Sequence, residues 1–352
     1  WVSKISKKRY FKTKIYIYLR TTIEIKMFNL NLSSFGKFVY QHSWIFIKGI
    51  YRRVMFKQPY VFSINIADRC PVSCHCYWRA QARVTELTDQ ETISFFKKKR
   101  KEGYVLAILV GGEPYVRPNL LTEVTKIMPF NWLVTSGTTP LCPLTNTTHV
   151  VSIDGATSDT HDKVRRMPGL FSRILKNIQV ARENAVMIRK KFPVVIHTTL
   201  NAWNYPELPN IVEIWATNGL ADGMIVSTMT PIKEGYDEPL RLNHEQRVWI
   251  VEELLRLKNI YPKFLFQSFE MFRRLHPDHT KKLTPAICQT ASLVESYDAS
   301  GARIKQCILS EKADCSECGC IVTTMSDSTT PLSLQSFTES LNIASKLTTL
   351  TN

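Results

Sequence analysis

From residue 60 to residue 258, short, nearly continuous apolar runs alternate with stretches whose apolar positions recur three or four apart. The runs YVFSINIAD (60–68), YVLAILV (104–110), WLVTS (132–136), HVVSID (149–154), VVIHTTLNA (194–202) and GMIVSTM (223–229) read as strands. LTDQETISFFKKKRKEG (87–103), NLLTEVTKIM (119–128), FSRILKNIQVARENA (171–185), ELPNIVEIWATNG (207–219) and HEQRVWIVEELLRLK (244–258) read as helices. Thr88 is the expected N-cap of the first helix and Gly103 its stop. The third and fourth strands are joined by a short irregular link. Six strands mostly separated by helices predict an α/β fold with a parallel sheet covered on its outer face. An open doubly wound sheet and a partial barrel both satisfy the pattern, and in both the chemistry collects at the C-terminal ends of the strands.

Those ends carry the informative residues. DRCPVSCHCYW (68–78) follows the first strand, GGEP (111–114) the second, and Ser152 and Asp154 close the fourth. Three polar or cysteine-rich segments on one rim point to one site.

Charge changes the picture at one end only. Of the net +16 in 352 residues, residues 1 to 60 account for +12, with thirteen Lys or Arg against the single acid Glu24. A basic front end on a nearly balanced body is not the distribution of a nucleic-acid binder, and none is expected. The stretch before Met27 reads as sequence upstream of an ordinary start, which sets residues 1–26 apart. Residues 27–60 interleave Lys37, Lys48, Arg52, Arg53 and Lys57 with aromatic side chains and no acid. They read either as an interfacial helix on anionic lipid or as a helix packed across the body. No apolar run approaches the ~20 residues of a membrane span. A secretory h-region and cleavage site are absent, so the expected compartment is the cytoplasm, with peripheral membrane contact through residues 27–60.

Nine cysteines, an odd number bunched at close spacings, argue for metal or cluster binding over a disulfide framework. Cys70, Cys74 and Cys76 are three thiols on one loop. Zinc wants a fourth ligand, and His75, lying between two cysteines, is poorly placed to point with them. A cubane cluster held by three thiolates instead leaves one iron open to a substrate.

With GGEP after strand two and VSIDGATSDTHDKVRRMPGLFSRILKNI (151–178), this loop resembles the radical S-adenosylmethionine (SAM) superfamily, in particular its branch with a SPASM or twitch auxiliary-cluster region. The resemblance covers residues 60 to 322. It implies a partial (β/α)6 TIM-type barrel with a small C-terminal cysteine-rich extension. It also implies a 4Fe-4S cluster on Cys70, Cys74 and Cys76 whose fourth iron chelates SAM, an external electron donor, and reductive cleavage to a 5'-deoxyadenosyl radical. By the same resemblance His75 lies near the adenine, Gly111, Gly112, Glu113 and Pro114 meet the methionine amino group, Ser152 and Asp154 the ribose and methionine end, and Arg165 the SAM carboxylate. The family spacing is C-x3-C-x2-C, and this chain has one residue fewer in the second gap. Either the loop reshapes, or the sequence carries an error or lesion there. A non-catalytic Fe-S or zinc protein on the same fold is the alternative.

The second cysteine group, CQTASLVESYDASGARIKQCILSEKADCSECGC (288–320), holds Cys288, Cys307, Cys315, Cys318 and Cys320. YDASGARIKQC reads as a hairpin turning at ASG. The layout resembles the twitch and SPASM regions and implies an auxiliary Fe-S cluster, while C-x2-C with two further cysteines also suits zinc. Cys142 reads as a bystander, and His161 and His197 as structural histidines. The expected organisation is a basic aromatic segment (1–59), a radical SAM core (60–260), a cysteine-rich region (261–325) and a mobile tail (326–352). The expected substrate is a peptide or protein, or, given the front end, a lipid.

Overall fold

Strands buried on both faces need apolar side chains at every position, and the six apolar runs form strands where they were read. The computed structural model describes residues 59–74, 83–233, 238–288 and 294–324. The front end before residue 59, His75, Cys76 and the tail from residue 326 lie outside the described residues. β1 (Val61–Ala67) is buried throughout. β2 (Leu106–Gly111), β3 (Phe130–Thr135), β4 (Thr147–Ser152), β5 (Val194–Leu200) and β6 (Gly223–Thr228) follow, each parallel to the one before.

The helices are α1 (Asp89–Glu102), α2 (Pro118–Ile127), α3 (Ser158–Arg165), α4 (Leu170–Met187), α5 (Leu208–Thr217) and α6 (His244–Ile260). In α1, Thr88 and Glu91 form a reciprocal capping box and Gly103 leaves at φ 96°, so both expected boundaries hold. α3 and the short α7 (Phe269–Arg273) and α8 (Pro277–Thr280) were not read from the sequence. Among the described residues no helix is long and apolar enough to cross a membrane.

Alternate strand residues divide between two cores. Phe62, Ile64, Leu109, Leu133, Val151 and Ile196 pack against the helices. Leu106, Trp132, Val150, Val195 and Ile225 turn inward and pack with Phe266 and Met271. The inner core fills the barrel near the strand starts and leaves space towards the strand ends.

The C-terminal cysteine region does not stand apart from this sheet. β7 (Val294–Tyr297) pairs in parallel with β1, and β8 (Arg303–Ile304) returns antiparallel to β7 through the expected turn, with Gly301 at φ 78°. The sheet therefore runs β6-β5-β4-β3-β2-β1-β7-β8. Four residues are a short strand, and a buried lysine anchors them. Lys99 of α1 donates to Tyr297 Oη at 2.5 Å, pairs with Glu295 at 3.6 Å and lies over the Phe95, Tyr104 and Tyr297 rings.

Beyond β8 the chain crosses to the far edge of the sheet. Thr228 N–H at the end of β6 donates to Gly319 O at 3.1 Å, Gly319 N–H to Thr230 Oγ1 at 3.0 Å, and Asp314 N–H to Pro231 O at 2.8 Å. Arg241 grips Glu317 with two nitrogens, and Arg247 Nη1 donates to Glu317 O at 2.8 Å. Residues 305–324 are thus a strap from one sheet edge to the other, ending in α9 (Ile321–Thr324).

Candidate active site

The site begins where β1 ends. Register shifts between Asn65 and Ala67, a bulge that redirects the chain into the cysteine loop. The loop is tied at its base. Glu86 Oε1 accepts from Asp68 N–H at 2.9 Å, and its carboxylate takes the Arg69 guanidinium at 3.0 and 3.1 Å. Arg117 gathers the same region, donating to Ile66 O at 2.8 Å and Leu87 O at 2.9 Å while pairing with Asp89.

The GG of GGEP continues the β1–β2 pairing into this loop. Gly112 N–H donates to Ala67 O at 2.8 Å and Glu113 N–H to Arg69 O at 2.9 Å. Gly111 has φ +122°, and a Cβ on Gly112 would fall well inside van der Waals contact of Arg69 O. The two glycines therefore let two stretches of the chain's own backbone meet.

Glu113 is fully buried. Its Oε1 accepts from Tyr115 N–H at 3.0 Å and Thr135 Oγ1 at 2.7 Å, and its Oε2 from Ser136 N–H at 2.8 Å and Ser136 Oγ at 2.6 Å. Four donors fix the carboxylate behind the cavity wall, clamping GGEP to the end of β3. Pro114 opens a one-turn helix (Pro114–Val116) beside it.

Asp154 is equally engaged. Its Oδ1 accepts from Thr199 N–H at 2.9 Å, its Oδ2 pairs with Arg165 Nε at 2.6 Å, and its own N–H donates to His161 Nδ1 at 3.0 Å. Asn204 Nδ2 donates to Asp154 O at 3.0 Å. Arg165, one helix beyond, thus reaches the rim through a carboxylate on β4's exit.

These elements surround a cavity of about 460 Å3. Its wall includes Cys70, Cys74, Gly111, Gly112, Ser152, Asp154 and Arg165. The strap supplies Cys307, Cys315, Cys318 and Cys320, and Cys288 joins them. The two cysteine groups expected from the sequence therefore share one space. Glu113, Pro114 and Cys142 are not among the lining residues. Tyr115 Oη donates to Cys142 O at 3.0 Å, placing Cys142 in the packing of the third loop.

The donor chemistry of this space fits iron and sulfide. None of the eight described cysteines is in a disulfide. Burial pushes the Cys70 thiol up to about 11, aided by Cys74 and Glu113, and pushes Cys307 up to about 12, aided by Cys318, Cys288 and Cys315. Burial raises Cys315 and Cys320 as well, with Cys318 adding to both. Without a cation these thiols hold their protons at neutral pH; a metal displaces the protons as it binds. Among the described residues no three His, Cys, Asp or Glu side chains converge tightly enough for a single metal ion.

Three histidines around the site are held neutral, His149 and His161 buried and His197 half-buried on the cavity wall. Burial lowers His149 to about 3, and lowers His161 and His197 to about 4, where Arg165 opposes and Asp154 favours the charge. His161 Nδ1 accepts a backbone N–H, His149 Nε2 meets Tyr115 Oη at 2.8 Å, and His197 Nε2 meets Ser227 Oγ at 2.9 Å. Each folded value lies below the unfolded one, so the unfolded chain takes up protons first as pH falls. The contribution is intact above about pH 6.5 and drains away between there and pH 4. Chemical denaturation at pH 7.5 and pH 5 should show a loss on the order of 2 kcal/mol for each of His149 and His161 and less for the half-buried His197, and His161→Gln should flatten that slope.

No family model matches the chain. Among curated proteins it is 30% identical over 177 residues to an AdoMet-dependent heme synthase of Methanosarcina barkeri, covering 46% of this chain and 48% of that one. It is 25% identical over 172 residues to an AdoMet-dependent heme synthase of Oleidesulfovibrio alaskensis, covering 45% and 42%. The chain thus matches about half the length of these relatives. Among solved structures, Streptococcus suis SuiB bound to precursor peptide SuiA superposes with a TM-score of 0.58 at 12% identity, covering 86% of this chain and 76% of that one. SuiB bound to S-adenosylmethionine gives 0.56 at 14%, covering 84% and 72%. The chain is thus similar over about half its length to AdoMet-dependent heme synthases and shares its barrel fold with SuiB, and it joins its cysteine loop to a glycine pair at the ends of β1 and β2.

Proposed function

We propose that the chain is a radical SAM enzyme in which Cys70, Cys74 and Cys76 would hold a 4Fe-4S cluster and the wall of Gly111, Gly112, Ser152, Asp154 and Arg165 would hold SAM. When bound and reduced by an external donor, cluster and SAM supply a carbon radical that abstracts hydrogen. The protein's part is positioning. Glu113 holds the GGEP backbone against the cysteine loop. Asp154 fixes the direction of the Arg165 guanidinium, whose planar donors suit a carboxylate. Ile108, Trp132, Ile225 and Val294 line the floor and keep water from the reacting centre. Cys288, Cys307, Cys315, Cys318 and Cys320, which line this one cavity, hold an auxiliary iron-sulfur cluster; zinc is the alternative for the same thiols.

The observation that carries this reading is the shared cavity. A substrate entering it stands between the SAM site and the second thiol group. A peptide or protein substrate is consistent with the barrel likeness to SuiB, which was solved with its precursor peptide. A tetrapyrrole is the second reading, favoured by the 30% identity to a heme synthase.

The test is anaerobic reconstitution with iron and sulfide, followed by reduction in the presence of SAM. Formation of 5'-deoxyadenosine is expected, and its stimulation by peptides or by haem-precursor porphyrins sorts the substrates. Bound iron and sulfide with no SAM cleavage under strong reduction would overturn the enzyme reading in favour of a non-catalytic cluster protein.

A further inference from the structure

We propose that the pole of the barrel opposite the site docks on an anionic lipid bilayer, entered by the tip of the loop between α4 and β5. At that tip Val186, Met187 and Ile188 are consecutive and 77%, 73% and 55% exposed. Arg189, Lys190 and Lys191 follow, all exposed. Single apolar side chains are common on surfaces; three large ones in a row are not. The backbone holds them outward. Arg189 adopts φ 52°, and Lys190 N–H donates to Ala185 O at 2.8 Å, closing the helix end so that the apolar triplet caps it.

Cations near a helix C-terminus are ordinary complements of its dipole. That accounts for Arg189 to Lys191 and leaves the triplet unexplained. An apolar tip collared by cations fits a surface with acyl chains beneath anionic headgroups, and fits a polyanion such as RNA poorly.

The same pole continues the pattern. All six barrel strands start there because they are parallel, so α1 brings Arg100 and Lys101 to it and the turn before Leu265 brings Lys263. Of the acids there, Glu102 pairs with Lys99, Asp222 with Arg182 and Glu123 with Lys126, while Glu183, one turn before Met187, is exposed and accepts from Gln179. Basic groups near an anionic bilayer act additively, and apolar insertion adds a part that salt does not screen. The proposal stands independently of the chemistry at the other pole. Because the two poles are opposed, bilayer contact here does not deliver a lipid to the cavity.

The full chain is to be sedimented with vesicles of mixed phosphatidylglycerol and phosphatidylcholine, and with phosphatidylcholine alone. Binding is expected only to the anionic vesicles, with slowed amide exchange over residues 184–192. The combined Val186→Ser, Met187→Ser, Ile188→Ser variant should partition about tenfold less well at equal salt. Partitioning equal to the unmodified protein would overturn the insertion of this tip. Equal binding of a duplex RNA by both forms, without vesicle binding, would assign the surface to a polyanion. A changed thermal midpoint in the variant, without vesicle binding by either form, would show that the tip packs within the folded chain. Either result displaces the bilayer.

Discussion

A Cys74→Ala protein reconstituted anaerobically is expected to lose SAM cleavage while retaining the iron held by its C-terminal cysteines. Changing a residue that merely orients a metal ligand costs about 10–100-fold, so removing a ligand should cost at least the upper figure. Cys74 packs against the core cluster and reaches the cavity wall, so alanine there removes a thiol and leaves the loop's base tied through Glu86 and Arg117. The thermal midpoint should scarcely move. Gly112→Ala offers the complementary case. Its Cβ would press on Arg69 O, and relieving that overlap means moving either the cysteine loop or the end of β2. A stability loss of about 1–3 kcal/mol is expected along with lost cleavage. Cleavage in Cys74→Ala equal to that of the unmodified chain would remove Cys74 from the ligand set. Cleavage intact in Gly112→Ala would show that the backbone junction does not position the loop.

The six barrel strands were legible because a parallel sheet buried on both faces demands unbroken apolar runs, and local signals such as Thr88 and Gly103 marked α1. The rim was legible for the same reason: once the strands are parallel, whatever follows each one must share a pole. What stayed hidden depends on partners far apart in sequence. Glu113 was read only as part of a motif, whereas its role as an anchor exists through Thr135 and Ser136, more than 20 positions away. β7 is four residues long and is recognisable only beside β1. Arg117, Glu86 and Asn204 look like ordinary surface polar residues in the sequence, and become site residues only when β1, α1 and β5 meet. The two cysteine groups lie more than 200 positions apart in sequence, and the strap brings both to one cavity. No local pattern encodes that, because the strap is held by Arg241 and Arg247 on Glu317 and by the end of β6.

The strap's own glycine provides the sharpest separation of the two groups. Gly319 lies between Cys318 and Cys320 and packs directly on Thr228, where any Cβ would overlap both Oγ1 and the carbonyl oxygen. Both of those atoms belong to the last residue of β6, which cannot retreat without breaking the sheet. Gly319→Ala should therefore lift the strap, carrying Cys318 and Cys320 away from Cys307 and Cys288. Iron bound at the C-terminal group is expected to fall about tenfold or more in affinity, while SAM cleavage without substrate persists at the β1 loop. Turnover of a substrate should fail, since lifting the strap removes one wall of the cavity. The pair Cys315→Ser and Cys318→Ser should lose the same iron with the strap still seated, because neither serine disturbs Gly319 or the Arg241–Glu317 grip. Zinc lost from that double variant, with iron unchanged, would make the C-terminal group a structural zinc site. Full iron and full substrate turnover in Gly319→Ala would show that the strap is not what holds the second group over the cavity.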